Sequence, residues 1–126
     1  MFAMGDAGSA MARFERAIAV GRPSIVLAAA HELPKPLQLQ HAIRVVLVLA
    51  TGDADRFRTA AARFGSRLVS EHRLEISEAQ LAFAALATLC TSNPVAGAEA
   101  LCALLERHGE QQGADYLAAW LRARDG

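Results

Sequence analysis

Four histidines, two cysteines and one short run, His31-Glu32-Leu33-Pro34-Lys35, are the residues of this chain closest to metal or acid–base chemistry. The run begins as the zinc motif H-E-x-x-H does, in which two imidazoles one helical turn apart hold the ion and the glutamate acts as base. Here Lys35 stands in place of the second imidazole, and Pro34 breaks the turn that would bring it round. His41, His72 and His108 are scattered, and neither Cys90 nor Cys102 has a second ligand at metal-binding spacing. No metal or other cofactor is therefore expected. Gly5 and Gly8 lack the preceding strand that a phosphate-cradling loop needs, and no serine stands in a nucleophile elbow. Asp53 and Asp55 sit at a helix start, where carboxylates cap and complement the dipole. No catalytic residue is assigned.

The arginines carry more. Arg56, Arg63 and Arg67 recur at i, i+7 and i+11, along one side of a single helix, while Phe57, Phe64 and Leu68 turn the other way. Arg58 and Arg73 lie nearby, with Glu71 the only acid among them after Asp55. Arg56, Arg63, Arg67 and Arg73 are the candidate partner-binding residues: such a face can lie against an acidic protein surface or along phosphates. The plain alternative is a solvated face neutralised by acids elsewhere in the chain.

What positions these residues is a small domain. A chain of 126 residues has room for one core, so 1–126 reads as a single domain, with loose order expected over 1–9. The apolar share is 53%, but 28 residues are alanine, which adds helix propensity and close helix contact more than core volume. Thirteen basic and thirteen acidic residues cancel, which argues against a dedicated polyanion binder. The charge is unevenly spread: +4 over residues 1–73 (ten basic, six acidic) and −4 over 74–126 (three basic, seven acidic). That separation suits packing, a homodimer or an acidic partner. The longest apolar run, 81–87, falls far short of the ~18 residues that span a bilayer. No membrane role is expected, and the reading is a cytoplasmic protein.

The segment 34–53, PKPLQLQHAIRVVLVLATGD, decides the fold class. Read as a strand it lacks partners, and isolated strands are marginal in water. Leu39, Ile43, Val46, Leu47 and Ala50 fit a helical stripe, with Gly52 placed to end it and Asp53 to cap the next helix. With Arg44 the only polar residue over 42–50, this helix belongs at the centre of a bundle. Gly65–Ser66 in the following helix marks a kink or a close crossing. In ISEAQL, residues 76–81, Ser77 and Gln80 fit a capping box, and Ile76 with Leu81 a hydrophobic staple. Asn93 is then read as a cap with Pro94 at the first helical position. Cys90 and Cys102 fall on apolar faces, where shielded, reduced thiols are expected. Seven short helices result: an all-α compact bundle, with an irregular or superhelical arrangement of helix hairpins. A regular repeat array fails, since Ser70 and Arg73 fall where the tetratricopeptide pattern wants a small residue and an aromatic.

The block LPKPLQLQHAIRVVLVLATGDADRFRTAAARFGSRLVSE, 33–71, followed by EAQLAFAAL, 78–86, resembles a group of small, uncharacterised all-helical bacterial proteins. Their pattern is a leucine–proline step, an apolar helix, an acidic turn, R-F-x-x-A-A-x-R in a basic helix, and a glutamate-initiated alanine helix. The resemblance implies the all-helical fold and assigns no activity. The expected function is a non-catalytic interaction or regulatory module that binds a protein partner. The second reading is a nucleic-acid-associated protein using the arginine face, which includes a helix-turn-helix over 42–68 weakened by Arg58 at a position that should pack inward. A small-molecule enzyme without a recognisable motif is the third.

Overall fold

In Leu39–Gly52 the residues Leu39, Ile43, Val45, Val46, Leu47 and Leu49 are all buried, on more than one face, and a helix of that kind must be surrounded. The computed structural model describes residues 2–125, with side chains described for 8–124. Its seven helices are α1 (Phe2–Val20), α2 (Pro23–His31), α3 (Leu39–Gly52), α4 (Ala54–His72), α5 (Ile76–Thr88), α6 (Val95–Arg107) and α7 (Gln111–Asp125). Among the described residues there is no strand. The expectation of loose order over 1–9 falls largely on residues 1–7, whose side chains lie outside those described.

Each helix packs on the next in sequence, and α7 returns to pack on α3. The helices α3 to α7 thus close into a five-membered ring, and the α1–α2 hairpin rests on α3 outside it. That closure separates the fold from a solenoid, in which each unit touches only its neighbours. The central position expected for α3 holds: it packs against α1, α2, α4 and α7. One core runs through the molecule, from Phe14 and Val26 through Ile43, Leu49 and Leu68 to Leu86, Leu89, Leu101, Leu105 and Leu117. Among the described helices none is long and apolar enough to cross a membrane.

Small residues set the helix spacings. A Cβ at Gly65 would come 2.9 Å from Cδ1 of Phe83, so the Gly65–Ser66 signal marks a close crossing of α4 and α5. Between α5 and α6, Gly97 lies against the Ala85 carbonyl and the Thr88 side chain, and Ala82, Ala85 and Ala98 on these two helices are buried.

The local signals divide. Asp53 caps α4 as expected, its Oδ1 accepting from the Arg56 N–H at 3.1 Å, while its own N–H donates to the Leu49 carbonyl and closes α3. The capping box at 76–81 does not form. The α5 helix starts at Ile76, the Glu75 carbonyl accepts the Ala79 N–H, and Ser77 lies inside the first turn without capping anything. Ile76 is 80% exposed, so no staple closes over Leu81. Pro94 takes the cap position of α6 in place of Asn93, its carbonyl accepting the Ala98 N–H at 2.8 Å. Asp53→Ala is therefore expected to cost about 1 kcal/mol, and Ser77→Ala no more than about 0.5 kcal/mol, in urea titrations. A larger cost for Ser77→Ala would restore the capping box.

Cys90 contradicts the shielding expected of it. It follows the end of α5 in a turn and is exposed, whereas Cys102 is half-buried, its Sγ 3.5 Å from the Ala114 carbonyl oxygen; both thiols are free. Burial, followed by the nearby Glu106, Asp115 and Glu99 carboxylates, pushes the Cys102 thiol pKa up. Reaction with a disulfide reagent near neutral pH is expected to be biphasic, Cys90 first and Cys102 much later, because the thiolate is the reactive form. Equal rates would contradict this placement.

Candidate functional site

The α4 helix is amphipathic by its own sequence. Phe57, Ala61, Phe64 and Leu68 are buried, and the arginines face out. Arg56, Arg63, Arg67 and Arg73 do not form one uniform cationic stripe, however. Arg56 Nε lies 3.5 Å from Asp53 Oδ2, Arg58 Nη1 3.2 Å from Asp55 Oδ1, and Arg67 Nε donates to Glu71 Oε2 at 2.8 Å. The acids that answer these arginines come from the same helix and its cap, not from the acidic second half of the chain. Exposed pairs at i, i+3 and i+4 contribute well under about 1 kcal/mol each, so they leave the arginines open to exchange partners. Arg73 has a backbone role: it ends α4 in the left-handed conformation, φ 51°, with its N–H on the Val69 carbonyl.

Arg63 and Arg67 meet residues that the sequence reading did not group with them. They stand on one wall of a groove of about 300 Å³ between α2, α3 and α4. The half-buried Leu27, Leu37, Ala42 and Ala60 contribute apolar surface to it over the buried Val45 and Phe64, and His31 and Lys35 join Arg63 and Arg67 as its basic side chains. Among the described residues no acidic side chain lines it. Lys35 Nζ donates to the Ala30 carbonyl at 2.8 Å, which answers the negative end of α2. Arg63 has no ion pair among the described residues. The H-E-L-P-K run thus supplies two groove residues, His31 and Lys35, while Glu32 pairs with Arg13 and ties α2 to α1. Arg56 and Arg73 do not line the groove.

Two further polar clusters lie elsewhere. At one end of the ring, His72 Nε2 is 2.8 Å from Glu110 Oε2 and His108 Nε2 is 3.0 Å from Glu78 Oε2, with the two imidazole centres 5.6 Å apart. Arg107 also reaches Glu78, at 3.3 Å. These contacts brace the end of α4, the start of α5 and the α6–α7 turn. The hydrogen bond from His108 lowers the Glu78 pKa first, with lesser help from the Glu75 backbone and Arg107, against desolvation. Among the described residues no group of three or more His, Cys, Asp or Glu could hold a metal ion.

The second cluster fills the wedge between α1 and α7. The Arg44 side chain, 10% exposed, sends two hydrogen bonds to Glu15 (2.9 and 2.7 Å) and stacks over Tyr116 at 4.2 Å and Phe14 at 5.5 Å. This is how the one polar residue of an otherwise apolar helix stretch is accommodated: a delocalised cation over aromatic faces with its charge matched. The same hydrogen bonds hold the Glu15 carboxyl below its ordinary range.

Beside it, His41 meets Phe14 edge-on at 5.6 Å, and its buried Nδ1 has no hydrogen-bond partner among the described residues. Burial, then the Arg44 guanidinium, lower the His41 pKa, with Glu15 acting in the opposite sense. The folded state therefore binds fewer protons at this imidazole than the unfolded chain does. Its contribution to stability is complete above the unfolded value, about 6.5, and is lost as pH falls below it. His41→Leu is expected to flatten the stability–pH curve just below pH ~6.5. Urea titrations across that interval read it, and a slope equal to wild type would contradict it.

Compared with protein-family models, curated proteins and solved structures, the chain matches none.

Proposed function

We propose that this chain is a non-catalytic helical interaction module that docks an acidic surface of a protein partner on the α4 side of the bundle. The observation that carries this reading is the grouping of Arg63 and Arg67 with His31 and Lys35 around a groove with no acid among its described lining residues. The opposite charge is what such a surface attracts, and it accelerates encounter more than it adds affinity. A nucleic-acid role has less behind it. Formal charges cancel over the chain, and Phe64, next to Arg63 in sequence, is buried and offers no stacking face to a base. We place the protein in the cytoplasm, where an exposed thiol such as Cys90 stays reduced.

The test replaces Arg56, Arg63 and Arg67 together by Ala, which leaves the buried face of α4 untouched. Wild type and variant, both confirmed folded, are compared for partner capture and for nucleic-acid binding. The reading expects a partner held by wild type and lost by the variant, through slower association, with no nucleic acid bound by either. Salt-dependent nucleic-acid binding that flattens in the variant would favour the second reading. Equal partner recovery would remove the face from consideration.

A further inference from the structure

We infer that the α2–α3–α4 groove takes an amphipathic helix with an apolar stripe flanked by carboxylates, contributed by the partner. This inference rests on the reading just given and adds the chemical form of what docks. The groove is an open trough, not an enclosed cavity, and its surface is mostly apolar, formed by the half-buried Leu27, Leu37, Ala42 and Ala60 over a floor of buried Val45 and Phe64. An acidic surface without apolar side chains would leave that trough wet. A purely apolar segment would bring nothing to Arg63 and Arg67, whose guanidinium groups form charge-assisted, bidentate bonds with carboxylates. A helix carrying apolar residues at i, i+3, i+4 and i+7 satisfies both, because its apolar stripe enters the trough while the flanking positions meet the rim.

Two positions make the inference testable without opening the core. Ala60 and Ala42 are half-buried in the lining, on α4 and α3. Ala60→Leu keeps a good helix former and fills the trough from within. The probe is a synthetic, end-capped helical peptide of Leu, Ala and Glu with that stripe, beside a second peptide of the same composition in which the stripe is scrambled. Binding is followed by amide chemical shifts of the full chain.

The expected result is saturable shifts at Ala42, Val45, Ala60 and Phe64 with the striped peptide and not with the scrambled one. Affinity should fall about tenfold or more in Ala60→Leu, and about tenfold or more in Arg63→Ala/Arg67→Ala, the latter with reduced salt dependence. If both peptides bind wild type equally and only the arginine variant loses them, the charged edge stands and the groove inference falls. If neither peptide responds to the arginines, both fall. Shifts at the same residues with dodecanoate but not with the striped peptide would make the occupant a small anionic amphiphile and overturn the helix. The two-peptide comparison uses wild type alone, so it decides even if a variant fails to fold.

Discussion

Leu117→Ala is expected to lower the stability of the fold by about 3 kcal/mol, among the largest losses any single truncation will cause. Leu117 is fully buried in α7, the helix whose return to α3 closes the ring and which also buries Ala114 and half-buries Trp120 and Leu121. Truncation removes the transfer free energy of its methyl groups and leaves a cavity that neighbours on α3 and α6 fill only in part. Because α7 is held to the rest through this seam, amide exchange should also rise first in α7 and at the facing surface of α3. Urea unfolding of wild type and variant gives the first quantity and hydrogen exchange the second. A loss below about 1 kcal/mol would mean that closure does not depend on this contact.

Gly97→Ala is expected to destabilise by about 2 kcal/mol, although alanine is the better helix former by up to about 1 kcal/mol. A Cβ there would lie 2.9 Å from the Ala85 carbonyl oxygen and overlap Oγ1 of Thr88. Thr88 cannot simply rotate away, since its hydroxyl donates to that same Ala85 carbonyl at 2.8 Å. Either the bond breaks or α5 and α6 move apart where Gly97 meets Ala85. Thr88→Ala removes the hydroxyl, so the double variant should recover part of the loss, and a double-mutant cycle should give a clear coupling. A Gly97→Ala protein more stable than wild type would show that the helices yield at no cost.

How much of this was readable from the chain follows from the range of each interaction. Stripes such as Phe57, Ala61, Phe64 and Leu68 repeat within one helix, so their period is legible without knowing what they pack on. The Asp53 cap is legible for the same reason, since donor and acceptor lie three residues apart. At Ser77 equally local logic failed: Glu75 supplies the first carbonyl of α5, the helix begins earlier, and Ile76 is left in solvent where a staple would bury it. The choice between starts two residues apart is small in local free energy, and the packing of the whole helix decides it.

The sequence by itself determined that this protein is all-helical, that α3 lies at its centre, and that α4 carries its arginines opposite its core residues. Those are consequences of side-chain period, alanine content and the absence of strand partners. Tertiary structure alone decided that α7 closes on α3, that Arg44 threads between α1 and α7 onto Glu15 and Tyr116, and that Cys90 faces solvent. It also divided the four candidate arginines. Arg63 and Arg67 joined His31 and Lys35 at a groove, Arg56 turned to its own cap, and Arg73 became the end of a helix. The reason is distance along the chain. Residues some thirty positions apart meet only once the helices between them have packed, and no local period or propensity encodes where each helix comes to rest.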